Sequence, residues 1–138
     1  MSRGTEELLR DLTVGSNKSF TVPITNRYRL LYAHCTLVTD NSGSARRIIM
    51  EVTKADNSRV FDTHAGATVA ANVSTPQHHE FMQGVYRESS FIDNAIQVPF
   101  PKDCILLPGW KLVFKDENEQ GVLVDTLVVN AVVDKLPA

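Results

Sequence analysis

Two cysteines, one tryptophan and no apolar run of membrane length set the first limits on this 138-residue chain. Two cysteines do not make a disulfide framework. Cys35 and Cys104 lie in the apolar runs "YAHCTLV" and "KDCILL", which suits buried thiols acting as small hydrophobes. A membrane helix needs about 18 consecutive apolar residues, and none occur. The opening "MSRGTEELLRDL" carries charge where a signal peptide needs its apolar middle, so the chain is expected to remain in the compartment of its synthesis. Basic charge is also scarce. A formal net charge of −2 argues against a protein that works by neutralising phosphates, and the one adjacent basic pair, Arg46-Arg47, is split between opposite faces if it lies on a strand.

Catalytic and metal signatures are equally thin. No G-x-S-x-G elbow or phosphate loop occurs. "HHE" at 78–80 is the nearest approach to a metal motif, but strand alternation lets His78 share a face with Glu80 and turns His79 away. Two ligands fall short of a zinc set. The His-x-His of metal-binding cupins is absent. His34 and Cys35 are adjacent and would also part to opposite faces, leaving Cys35 as an inert core thiol. The acidic "KDENEQG" loop lacks the spaced oxygens of a calcium cage and reads as a solvated turn. The chain is therefore expected to be no enzyme and to carry no metal and no cofactor.

What the sequence does contain is dense punctuation between short apolar stretches. In "PFPKDCILLPGWKLVFKD" (99–116) the prolines mark strand ends or edges. Pro108-Gly109 reads as a tight turn in which Pro presets the first bend and Gly takes the positive φ that follows. Trp110, Leu112 and Phe114 then alternate with Lys111, Val113 and Lys115, the period of a strand buried on one face.

The same period recurs along most of the chain. "SFTVPI" (19–24) precedes a turn. "YRLLYAHCTLVTD" (28–40) offers Leu31, Ala33, Cys35 and Leu37 to a core, with Leu30, Tyr32, His34 and Val38 opposite. "ARRIIMEVTKAD" (45–56) turns at Asp56-Asn57-Ser58 into "RVFDT" (59–63). Residues 64–77 are small and Ala-rich, ambiguous between strand and loop. "HHEFMQGVYRE" (78–88) points His79 and Phe81 inward, "IQVPFP" follows at 96–101, and "DTLVVNAVVDKL" (125–136) closes the chain with Leu127, Val129, Ala131 and Val133 facing in. About eight strands with turn-separated spacing predict an all-β, antiparallel two-sheet sandwich.

Residues 1–18 read differently. Thr5 before Glu6 and Glu7, then Leu8, Leu9 and Leu12 and a stop at Gly15, predict a short capped helix with a leucine stripe. So short a helix holds only when its stripe packs on something. The division expected is an N-terminal arm (1–18) and a sandwich domain (19–138), with Leu8, Leu9 and Leu12 reaching a neighbour.

The succession of "YRLLYAHCTLVT", "KADNSRVF", the block Pro99, Pro101, Asp103, Leu106 or Leu107, Pro108, Gly109 and Leu112, and the terminal "DTLVVNAVV" resembles small jelly-roll virion proteins of tailed bacteriophages. The resemblance spans residues 19–136 but gives no place to "HAGATVAANV". It implies a capsid decoration or cement protein made in the host cytoplasm and placed on the outer capsid surface of the virion, self-associating as a dimer or trimer and bridging major capsid proteins. A collar or tail-attachment role uses the same fold.

A strand apolar on both faces implies a cover or an interface, so Leu30, Tyr32 and Val38 join Leu8, Leu9 and Leu12 as candidate partner-binding residues. The alternative is a carbohydrate-binding module using Tyr28, Tyr32, Tyr86 or Trp110 as platforms.

Overall fold

The computed structural model describes residues 5–12, 17–40, 45–84, 95–117 and 125–138. Ten strands occur among them: β1 (Thr5–Asp11), β2 (Asn17–Thr21), β3 (Asn26–Val38), β4 (Arg47–Thr53), β5 (Arg59–His64), β6 (Gln77–Gln83), β7 (Ile96–Phe100), β8 (Ile105–Leu106), β9 (Lys111–Glu117) and β10 (Thr126–Pro137). One sheet runs β1-β10-β3-β6-β7 with β8 also on β3, and the other runs β2-β9-β4-β5.

The pairing is nested. β1 pairs with β10, β2 with β9, β3 with β6, and β4 with β5, all antiparallel. A long hairpin folded on itself in this way and rolled so that successive rungs alternate between two layers is a jelly roll. The all-β sandwich expected from periodicity is what forms, enlarged by β1 and the two-residue β8. One pair departs from the antiparallel rule: β6 and β7 run parallel.

The core lies between the layers. β10 contributes Leu127, Val129, Ala131 and Val133, all without solvent exposure, and Ala33, Cys35 and Leu37 of β3 meet them from the next strand. Leu112 and Phe114 face back from β9, and Ile48, Met50 and Val52 from β4. Phe81 and Phe114 meet edge to face across the core, centroids 5.3 Å apart at 78°, a favoured aromatic geometry. The corner at Pro108-Gly109 forms as the residues dictate: Gly109 has φ +81°, and Trp110 N donates to Leu107 O at 3.0 Å. Trp110 packs, partly buried, on the core.

Two expectations are overturned. Residues 5–11 are not helical; they form β1, paired residue for residue with β10 from Thr5 opposite Lys135 to Asp11 opposite Val129. The reason is non-local: β10 offers a full-length ladder, and a marginal two-turn helix cannot compete with it. A boundary at residue 18 falls inside β2. The second concerns parity. Leu30 was placed opposite the core face and is instead fully buried in the core, while Leu31 is only half-buried. The pairing of β3 with β10 steps from Tyr32 opposite Val132 to Leu30 opposite Val133, so Leu31 is an extra residue, a β-bulge that reverses alternation below it.

At the far end of the sandwich Arg46, wholly buried, donates from Nε to Asp125 Oδ2 at 3.0 Å and from Nη2 to Asp125 Oδ1 at 3.2 Å. Asp40 also accepts from Arg46, and Asp40 N donates to Asp125 Oδ1 at 2.8 Å. Burial works against this charge, but the hydrogen bonds to Asp125 and the charges of Asp125, Asp40 and Asp116 outweigh it and raise the Arg46 pKa.

Candidate functional site

With the core filled by side chains, the surfaces left for recognition are the outer faces and edges of the two sheets. The registers place the outward side chains of the larger sheet in rows that cross it perpendicular to the strands. Leu8 on β1 is opposite Val132 on β10, Val132 opposite Tyr32 on β3, Tyr32 opposite Met82 on β6, and Met82 opposite Pro99 on β7. This row is apolar throughout.

The rows on either side are polar. Arg10, Asn130, His34, Glu80 and Gln97 form one of them, with Glu80 fully buried within it. Glu6, Asp134 and Arg29 form the other, where Arg29 Nη2 bonds Asp134 Oδ2 at 2.7 Å. Exposure along the apolar row rises toward the β1 edge: Met82 is 6% exposed, whereas Leu8 is 56% exposed.

The expected partner-binding residues distribute unevenly over this surface. Leu8 and Tyr32 share the apolar row. Val38 lies on the same outer face at the far end of β3, half-buried opposite Thr126. Leu12, 53% exposed, follows β1. Leu9 instead turns inward and packs on the core, and Leu30 lies in the core, so neither belongs to a surface. The leucine stripe of a helix is thus dispersed by the two-residue period of a strand.

Polar chemistry on this face centres on histidine. His34 Nε2 and His78 Nδ1 are 3.0 Å apart, with the rings stacked at 16°. Burial lowers the His34 pKa and the neighbouring His78 lowers it further, while Glu80 pulls it upward. Strand alternation had put His78 with Glu80 and His79 opposite, and the structure agrees. The contribution of His34 comes from the neighbouring strand β3, and no local spacing encodes that pairing. His79 is fully buried, its pKa lowered to about 4 mainly by desolvation. Among the described residues no three His, Cys, Asp or Glu side chains converge as metal ligands.

Both cysteines are buried free thiols. Burial alone pushes the Cys35 thiol far up and that of Cys104 up to about 11, so neither is a poised nucleophile. Of the aromatic platform weighed for sugar binding, Tyr28 is 4% exposed and Trp110 rests on the core. Tyr86, like most of the acidic loop at 116–121, lies outside the described residues. A shallow groove of about 460 Å³ is lined by Thr5, Thr25, Asn26, Lys135 and Pro137. It sits where β1 and β10 begin and end, and it lacks a paired acid and base.

No family model matches the sequence, and no characterised protein matches it by sequence. The fold does have solved counterparts. The structure of the infectious bursal disease virus Gx strain aligns over 99% of this chain with a TM-score of 0.51 and 12% identity, and a T13 IBDV viral particle aligns over 99% with a TM-score of 0.45 and 11% identity. This chain spans 33% and 32% of the lengths of those chains. At such identity the likeness shows the fold alone.

Proposed function

We propose that the protein is a structural component of a virion, and more narrowly a decoration or cement protein on the outer capsid surface of a tailed bacteriophage. It self-associates and bridges neighbouring major capsid proteins, acting by binding and not by turnover. The observation that carries this reading is the agreement between the nested jelly-roll topology and the fold in the structure of the infectious bursal disease virus Gx strain, over 99% of the chain. The outer face supports it. A continuous apolar row flanked by charged rows is suited to contact with another protein surface.

The proposed mechanism is linkage. A protein that binds only the assembled shell stabilises that shell in proportion to the logarithm of its concentration over its dissociation constant. No reacting constellation is needed for that work. Shells of the virus that encodes this chain, stripped of it and then resupplied with purified protein, should disassemble at a higher temperature than stripped shells alone. An unchanged disassembly temperature at saturating protein would refute the cementing role.

A further inference from the structure

We infer that β1 is the self-association edge, and that it pairs antiparallel with β1 of a second copy about a two-fold axis at Leu8, joining the two larger sheets into one. The inference rests on the self-association proposed above and specifies its geometry.

Among the described residues β1 ends its sheet and pairs on one side only. Its inward side chains are already engaged within the chain. Leu9 packs on the core, Glu7 approaches Tyr28 Oη at 3.5 Å and Lys135 Nζ at 3.8 Å, and Asp11 pairs with Lys18 at 3.3 Å. The outward set, Glu6, Leu8 and Arg10, is exposed. Among the described residues neither Glu6 nor Arg10 has an ion pair.

An exposed strand edge is usually guarded by charges that repel a second copy. Here the charges are arranged the other way. Pairing centred on Leu8 sets Leu8 against its own copy and Glu6 against Arg10 of the partner, twice over. Opposite charges placed directly across a strand pair attract, and like charges repel. A two-fold axis normal to the sheet permits only registers that keep the outer faces together. Sliding by one step in one direction sets Glu7 against itself, and in the other it sets Glu7 against Asp11. Among these neighbours, the register at Leu8 alone avoids opposing like charges.

The apolar row explains why a copy fits better than an unlike strand. It runs from Met82 through Tyr32 and Val132 to Leu8 and stops at the free edge. Pairing at Leu8 continues it, in the same order reversed, across the second sheet. The exposed flank of Leu8 is then covered by its own counterpart.

Sedimentation equilibrium of the full chain tests this. The wild type should dimerise, Arg10→Glu should weaken the dimer at least about tenfold, and Glu6→Arg should do the same. The double exchange Glu6→Arg/Arg10→Glu restores opposite charges and should recover dimerisation, as should an equimolar mixture of the two single variants. Failure of either recovery overturns the pairing. Wild-type self-association unaffected by both single variants refutes the β1 edge while leaving the self-association reading standing, whereas a wild type that remains monomeric refutes both. If Arg10→Glu loses its fold by circular dichroism, Leu8→Cys decides the matter. Oxidation should link two copies through Cys at that position, and a solvent-reactive thiol that does not link contradicts the two-fold register.

Discussion

Arg46 and Asp125 are 79 residues apart in sequence, both without solvent exposure, and joined by two parallel hydrogen bonds of 3.0 and 3.2 Å. The pair ties the start of β4 to the start of β10, one strand from each sheet, and so closes one end of the sandwich. Truncating one member of a buried pair strands the other without water, at a cost of about 3–5 kcal/mol. Asp125→Ala should lower the unfolding free energy in urea by that amount, through a lower midpoint with an unchanged slope. Arg46→Met should cost at least as much, since it leaves Asp125 and Asp40 together without the guanidinium. A loss below about 1 kcal/mol in both variants, the range of a surface pair, would contradict the closure role.

Acid should destabilise the fold as pH falls below about 6.5. His79 is buried and its pKa falls from 6.5 to about 4: desolvation lowers it most, the hydrogen bond to the Gln77 carbonyl opposes this, and the charges of His34 and His78 lower it further. The unfolded chain therefore takes up this proton at higher pH than the folded one. The stability from a neutral His79 is complete above about pH 6.5 and is lost as pH falls toward 4, by about 3 kcal/mol for one group with this shift. His34, also lowered, adds in the same direction. Denaturation curves at pH 7.5, 5.5 and 4.5 should show the decline, and His79→Gln should flatten it; equal decline in both would place the proton elsewhere.

β1 pairs with β10 along its whole length, which predicts that the sandwich needs it. Deleting residues 1–12 removes Leu9 from the core and uncovers β10, so cooperative unfolding followed by circular dichroism should be lost or shifted far down. Leu8→Ala, compared with the wild type at concentrations where both are monomeric, should change the unfolding free energy by no more than about 0.5 kcal/mol, because Leu8 is exposed in the single chain. A truncated chain with the wild-type midpoint would restore the reading of an independent arm.

The Pro108-Gly109 corner gives a conformational test free of packing. A Cβ added at Gly109 would sit 3.7 Å from Ala55 Cβ, an ordinary contact, while φ stays at +81°. Gly109→Ala should therefore cost about 1–2 kcal/mol from the left-handed backbone alone. A neutral substitution would show that the turn relaxes to another type.

Much of the fold was legible because it is encoded locally. The inward set Leu127, Val129, Ala131 and Val133 can be read from alternation on β10, and the positive φ of Gly109 from the Pro-Gly pair. Leu8, Leu9 and Leu12 fit a helical stripe and a strand equally well in isolation. What decides between them is a ladder with residues 129–135, which no local window contains. Leu30 was misplaced for a related reason: one bulged residue at Leu31 inverts every side chain beyond it and leaves no mark in composition. Of the candidate surface, Leu8 and Tyr32 were each identified singly. Their common row with Val132 and Met82 exists only in the register of four strands. The His34–His78 pair was hidden in the same way, since its members come from β3 and β6.

The most direct test of a structural role is the copy number of this protein in intact particles. Virions banded on a density gradient and analysed by quantitative mass spectrometry should contain it in fixed proportion to the major shell protein. Its presence in the infected-cell lysate together with its absence from banded particles would contradict that role.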